Sequence, residues 1–336
     1  MIQDKNNLPN VSVLIPCYNE EGNIGGCLDS LIKQDYKGVF EIVVVDNGSK
    51  DESRQIITRF AEHHPNIRLV IEQKKGTSIV RNTGVKNARY EYIGFIDADC
   101  EAPPDWLSLL VNNYRNIKSK HPEVIAVGGR NIAPAKGSRF VKAIEIVLDS
   151  FPGSFNSIQG RQYAESRPVS SLSPTNAFYE KEKISAAGYF DETLKSEAED
   201  AEINYRLFNS GHKFYFIPDS YVWHKMRATA KTWFKNMFRY GKGRARLLKR
   251  YPEMWSISYV LPPLFLMSIL SVGLSFISPL FLAPLSYFLL IIVFSLHQTI
   301  KKRAIPMLGH VMLVYAIQHF GYALGEMYGL INPKVK

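Results

Sequence analysis

The chain has 336 residues, 46% of them hydrophobic, which is more than one ordinary domain needs and too few for three. Its formal net charge of +10 is concentrated near one boundary rather than spread along the chain. Three cysteines, Cys17, Cys27 and Cys100, are odd in number and lack metal-type spacing, which argues against a disulfide framework and fits a reducing compartment. The opening MIQDKNNLPN holds no signal-peptide apolar core, so the soluble part is expected in the cytoplasm.

Residues 11–19 (VSVLIPCYN) read as a strand that ends in turn residues. Ile24, Leu28, Leu31 and Ile32 then recur at helical spacing within about 21–34. Residues 41–49 (EIVVVDNGS) form an apolar run continuous enough for a strand buried on both faces. A helix over about 51–63, a strand over 67–73, a helix over about 78–87 and a strand over 92–99 follow. This alternation predicts a mostly parallel sheet with helices on both faces, whose ligands sit beyond the carboxyl ends of the strands. Those ends carry Asn19, Glu20, Asp46, Asp97 and Asp99.

The middle of the chain is more mixed. Residues 124–130 read as a strand, 198–209 as a helix and 212–218 as another strand. The polar stretch 153–174 reads as a long functional loop, and Arg161 and Arg167 make it a candidate acceptor-binding lid.

From Lys225 to Arg250 the chain carries ten basic residues and no acidic one, and residues 254–300 have no charged side chain. A basic run of this kind suits nucleic acid or an anionic membrane, and its place before an apolar stretch favours the membrane. Stretches of about 257–275 and 280–296 approach the roughly 20 residues needed to span. Lys301, Lys302 and Arg303 follow, so both ends of the hairpin are expected in the cytoplasm. A third stretch, 304–331, with His310, His319 and Glu326 among glycines, spans, re-enters or lies in the interface. The expected organisation is a soluble domain over 1–225, a basic amphipathic interfacial segment over 226–256 and a membrane region over 257–331, multi-pass in the plasma membrane.

Asp97 and Asp99, at i and i+2, point to the same side of an extended segment. A solvated turn is the ordinary reading of such a pair. After the apolar run from Ile93 to Ile96, a hard divalent cation such as Mg²⁺ or Mn²⁺ is the better one, because buried carboxylates need neutralising. Asp46, in Asp46-Asn47-Gly48-Ser49, is either a plain turn residue or an acceptor for a nucleobase. Glu199 and Asp200 open a helix, where the dipole favours acidic residues; a carboxylate there also suits a general base.

Five segments occur in the right order: VSVLIPCYNEE, VVVDNGSKD, RNTGVKNA, FIDADC and GYFDETLKSEAEDAEINYRLFNSG. Together they resemble the family 2 glycosyltransferases over roughly 10–225. The resemblance implies a GT-A fold, a Rossmann-like α/β domain for nucleotide-diphospho-sugar donors, followed here by transmembrane or interfacial helices. It also implies an inverting, metal-dependent sugar transfer. Asp46 would hold the nucleobase, often uracil, so a UDP-sugar is favoured; Pro16, Tyr18, Glu20 and Arg81 would border the donor. Asp99 would bind the Mg²⁺ or Mn²⁺ ion, Asp97 would lie beside the donor ribose or sugar, and Asp200 would be the catalytic base. Asn47 replaces the family's usual second Asp.

His224 is a candidate for a metal or diphosphate contact, with Arg227 on the phosphates; a histidine in an ordinary connection is the alternative. Asn236 to Tyr240, including Arg239, is similar to the Gln-x-x-Arg-Trp element of processive synthases, and also reads as an amphipathic helix with Trp233, Phe234, Met237 and Phe238 in the bilayer. Glu199, Arg227, Arg239 and Arg161 are the candidates for acceptor or phosphate contacts. The expected function is transfer of a sugar to a lipid-linked saccharide on a polyprenyl phosphate or diphosphate at the cytoplasmic face, with membrane lipid and no nucleic acid as partners. A processive polysaccharide synthase, a sugar nucleotidyltransferase and a non-catalytic sugar- or lipid-binding protein remain as alternatives.

Overall fold

The structure, a computed structural model, describes residues 8–134, 137–154, 163–194, 196–225 and 229–332. It divides into two compact units, one of Met1–Pro134 with Ile158–Lys225, the other of Ala135–Ser157 with Met226–Lys336. The contiguous division at residue 225 expected from sequence is thus interrupted, because Ala135–Ser157 groups with the C-terminal helices.

The first unit opens with β1 (Val11–Cys17), α1 (Ile24–Ile32), β2 (Phe40–Asp46), α2 (Ser53–His63), β3 (Ile67–Ile71), α3 (Thr77–Asn87) and β4 (Tyr92–Ile96). β5 (Cys100–Glu101), α4 (Trp106–Lys120) and β6 (Val124–Ile132) follow. After α5 (Arg139–Leu148) and α6 (Phe151–Ser154), which belong to the second unit, the chain returns with β7 (Arg167–Val169), β8 (Asn176–Glu180), α7 (Lys181–Ala186), α8 (Glu199–Asn209) and β9 (Lys213–His224). The strand order is β3-β2-β1-β4-β8-β6-β9-β5, with β7 also on β9.

The β3-β2-β1-β4 half is parallel, as the alternation predicted. The other half is mixed: β8 runs antiparallel between β4 and β6, while β6 and β9 are parallel. Val11, Val13, Ile15, Ile42 and Val44 pack with α1, α2 and α4 on one face. Leu14, Val43, Val45, Ile93 and Phe95 pack with α3, α7 and α8 on the other. That two-sided burial is why β2 reads as an uninterrupted apolar run. Register pairs Cys17 with Asp46 and Asp46 with Ile71, so the carboxyl ends of β1, β2 and β3 finish together.

Two local expectations change. Within the described residues of the 153–174 stretch, α6 ends at Ser154, and β7 pairs with β9, Val169 facing Phe214. β9 does not stop at Pro218 but runs to His224. Its pairing with β6 jumps from Gly128/Phe216 to Arg130/Tyr221, and this irregularity absorbs a proline that has no N–H for the ladder. Gly129 permits the close approach there, since a Cβ would lie 2.1 Å from the Ser220 carbonyl oxygen.

The second unit adds α9 (Ala230–Arg250), α10 (Ile257–Leu270), α11 (Ser286–Lys301) and α12 (Leu308–Ile331) to α5 and α6. Thr229 and Thr232 cap α9 reciprocally. Gly321, Gly325 and Gly329 recur every fourth residue on α12 and face α9: a Cβ on Gly325 would sit 2.0 Å from the Phe238 carbonyl, and one on Gly241 2.0 Å from that of Tyr322. The helix backbones therefore touch, the packing that small-xxx-small repeats allow. This contact corrects the reading of α9 as inserted in lipid at two of its four apolar positions, Trp233 and Met237. Trp233 and Met237 are buried with Ile144, Val147 and Val314 of α5 and α12, while Phe234 stays exposed.

Among the described residues, one helical segment, Pro279–Lys301, is long and apolar enough to cross a membrane; the apolar helix Tyr259–Leu274 is shorter. The two-span hairpin expected over 257–275 and 280–296 is thus reduced to one segment of spanning length. The first arm stops being α-helical at Leu270 and tightens into a 3₁₀ turn over Ser271–Leu274.

Candidate active site

Two loops lock together at the carboxyl ends of β1 and β2. Asn19, at φ 54°, donates its backbone N–H to Ser49 Oγ (3.0 Å) and accepts from the Lys50 N–H (2.8 Å). The Glu20 N–H donates to Ser53 Oγ (2.7 Å), and the Glu20 carboxylate accepts from Asn23 Nδ2 (2.6 Å). Pro16 lies within β1 opposite Val45, and Tyr18 is exposed with Lys75 Nζ 3.9 Å from its ring centre. The Asn47 side chain donates to the carbonyls of Glu72 (3.0 Å) and Lys74 (2.6 Å), tying the loop after β3 to the end of β2.

Asp46 closes β2 with its side chain fully buried. It accepts from the Ser49 N–H (3.1 Å) and from Arg54 Nε (3.1 Å) and Nη2 (2.7 Å). Burial alone would raise its carboxyl, but the bonds from Ser49 and Arg54 outweigh it and hold the group below the usual aspartate range.

The turn after β4 carries Asp97 and Asp99. Thr175 Oγ1 donates to Asp97 (2.8 Å), and His224, the last residue of β9, places Nε2 3.2 Å from Asp99 Oδ2. Pairing of Cys100 with His224 between β5 and β9 brings the histidine there across 125 residues of sequence. Arg81, buried on α3, donates to Glu199 at the start of α8 (2.7 Å) and lies 3.5 Å from Asp97. The Asp200 charge also helps to hold the Arg81 guanidinium above its ordinary value. One guanidinium therefore links the β4 turn to the acidic first turn of α8. The Asp200 carboxylate accepts from the Ala201 N–H (2.8 Å), and Asn204, one turn on, donates to the Asp200 carbonyl and to Leu172 (2.8 Å each).

Burial raises Asp97 and Glu199 above the usual carboxylate range, with Asp99 and Asp200 respectively adding to the rise, although Arg81 pulls both down. Burial would likewise raise Asp99 and lower His224. The bond between them reverses both tendencies, so Asp99 falls below and His224 rises above its ordinary value.

Asp99, Cys100 and His224 offer ligand atoms within 4.8 Å of one another. Burial, with Asp99 and Asp97 beside it, pushes the Cys100 thiol well above its usual pKa. Carboxylate oxygens with one imidazole nitrogen match a hard or borderline divalent ion such as Mg²⁺ or Mn²⁺.

Pro16, Tyr18, Glu20 and Asp46 thus lie at the ends of β1 and β2, while Arg81, Asp97, Asp99, Glu199, Asp200 and His224 form a second, connected group. Arg239 is on α9 in the other unit, where its Nη2 lies 3.4 Å from Asn236 Oδ1. Arg161 and Arg227 fall outside the described residues. The sequence reading missed Arg54, Thr175 and Asn204, and nothing in the local pattern around them marks their partners. Asn82, next to Arg81, holds the Phe190 backbone through both amide atoms (2.8 and 2.9 Å).

Known proteins resemble this chain in sequence and fold. Glycosyltransferase AglE of Haloferax volcanii is 29% identical over 71% of this chain and 74% of its own. A dolichyl N-acetyl-alpha-D-glucosaminyl phosphate 3-beta-D-2,3-diacetamido-2,3-dideoxy-beta-D-glucuronosyltransferase of Methanococcus voltae is 25% identical over 95% of this chain and 98% of its own. Among solved structures, the mannosyltransferase PcManGT of Pyrobaculum calidifontis, in complex with GDP-Man and Mn²⁺, superposes with a TM-score of 0.60 at 19% identity, covering 93% of this chain and 88% of its own. The fold is GT-A. The family described as Glycosyl transferase family 2 matches residues 12–187, more than half of the chain, and this chain belongs to it.

Proposed function

We propose that the chain is an inverting glycosyltransferase that moves a sugar from a nucleoside diphosphate donor to a lipid-linked saccharide at the cytoplasmic face of the plasma membrane. The observation that carries this reading is the link through Arg81 between the β4 turn with Asp97 and the acidic start of α8 with Asp200. The donor's base lies toward Asp46 and Arg54, a uridine or guanosine nucleotide, and its diphosphate toward Asp97 and Asp99. Asp99 and His224 would hold a Mg²⁺ or Mn²⁺ ion, which supplies charge neutralisation for a departing diphosphate.

Asp200 takes the proton of the acceptor hydroxyl as its oxygen bonds the anomeric carbon. The bond from that carbon to the diphosphate breaks on the opposite face, and the nucleoside diphosphate leaves. Arg81 holds Glu199 and so orients the helix start that presents Asp200. The acceptor class is supported by the Methanococcus relative, whose name gives a dolichyl phosphate-linked sugar as its acceptor. Membrane attachment is supported by Pro279–Lys301 and by the exposed Lys231, Lys235 and Arg239 of α9, which suit anionic lipid. Nucleoside diphosphate release from a panel of nucleotide sugars, with Mg²⁺ or Mn²⁺ and lipid extract, tests the reading. One donor should release nucleotide, and Asp200→Asn should lower the rate by about 10²–10⁴. Equal release by wild type and Asp200→Asn overturns the assignment of the base.

A further inference from the structure

Asp46 is the residue that the family resemblance assigns to the nucleobase, yet its side chain is fully enclosed. Arg54 accounts for that. Its Nε and Nη2 both donate to Asp46 Oδ2, at 3.1 and 2.7 Å, and its side chain is 40% exposed where that of Asp46 is 0%. The edge of the guanidinium formed by Nε and Nη2 is spent on the carboxylate. The terminal edge, with Nη1 and the second hydrogen of Nη2, has no partner among the described residues. A ligand arriving at the end of β2 therefore meets the guanidinium before the carboxylate.

We propose that Arg54 selects the donor's base, accepting bases that present a ring carbonyl and rejecting those that present an amino group at the same place. The inference rests on the glycosyltransferase reading. Arginine has five N–H donors and no acceptor. Its free fork matches uracil O4, or guanine O6 with N7, whereas the N4 amino group of cytosine and the N6 amino group of adenine set donor against donor. Asp46 is the positioning residue: its buried charge orients the fork and balances it, and Ser49 fixes the carboxylate in turn.

The test is titration of the full-length protein in detergent with UDP, CDP, GDP and ADP in the presence of Mn²⁺. Wild type should bind UDP over CDP, or GDP over ADP, by roughly ten- to hundred-fold. Whichever pair shows the stronger binding identifies the source of the carbonyl. Arg54→Met should bring the keto nucleotide down to the level of its amino counterpart and leave the amino nucleotide unchanged. Because that variant leaves Asp46 without its cation, Arg54→Gln is measured beside it: the amide can donate to Asp46 but lacks the terminal guanidinium edge, so the ratio should fall to one or below in a folded protein. A wild-type ratio near one, or a folded Arg54→Gln that keeps the wild-type ratio, overturns the inference while leaving nucleotide release intact. Failure of wild type to bind all four nucleotides sinks the inference and the transferase reading together.

Discussion

Glu41 shows how a single charged residue inside a sheet is made tolerable. It is buried at the amino-terminal side of β2, and its carboxylate accepts from Ser12 Oγ (2.7 Å), the Arg89 N–H (2.7 Å) and Arg68 Nε (2.8 Å). Burial pushes the carboxyl up, but the bonds from Arg68, Arg89 and Ser12 together hold it below the ordinary 4.5. A depressed folded pKa contributes stability that is complete above the unfolded value and disappears as pH falls through the folded one. Glu41→Gln should therefore cost on the order of 2 kcal/mol near pH 7. Urea melts at descending pH should show its difference from wild type shrinking below pH 4.5. Arg81 is the functional counterpart. Its place in an RNTG segment marks it as notable, but its pairing with Glu199, 118 residues away, is invisible to any local pattern.

Among the elements, α9 and α12 depend on each other most closely. Glycine costs about 1 kcal/mol relative to alanine inside a helix, so four of them along one contact need a compensating reason, which backbone contact provides. Gly325→Leu should push the helices apart and lower unfolding stability by about 3 kcal/mol or more. Gly309→Ala, on the same helix where a Cβ meets nothing within 4 Å, should leave the melting temperature unchanged or slightly raised. Equal effects of the two substitutions in detergent thermal melts would contradict close packing as the reason for the repeat. The sequence shows α9 as amphipathic, and that periodicity is present. Amphipathicity states that one face leaves water without naming what covers it, and here α5 and α12 cover Trp233 and Met237.

For the molecule as a whole, the apolar surface of Pro279–Lys301 turns outward, with Leu289 62% and Val293 52% exposed. If that surface meets lipid, an arginine at each position costs roughly 2.5–3.5 kcal/mol of insertion. Leu289→Arg with Val293→Arg should shift the protein from the carbonate-resistant membrane fraction toward the soluble or aggregated fraction. Unchanged fractionation would mean that membrane attachment does not depend on this helix.

The alternation of apolar runs with helical spacing made β1 to β4 and α1 to α3 legible, because each is short-range and buried on both sides of one sheet. The same reading placed Asp46, Asp97, Asp99 and Asp200 at element ends, since chain order alone says where a strand stops or a helix starts. Pairing across the chain was beyond it. The antiparallel insertion of β8 beside β4, the extension of β9 to bring His224 onto Asp99, and the grouping of Ala135–Ser157 with the C-terminal helices all join segments far apart in sequence. The enclosure of Asp46 by Arg54 spans only eight residues, yet it depends on rotamer and burial rather than periodicity. Residue patterns report which faces are buried and which ends are charged. Which buried face meets which, and which charge neutralises which, follows from three-dimensional packing.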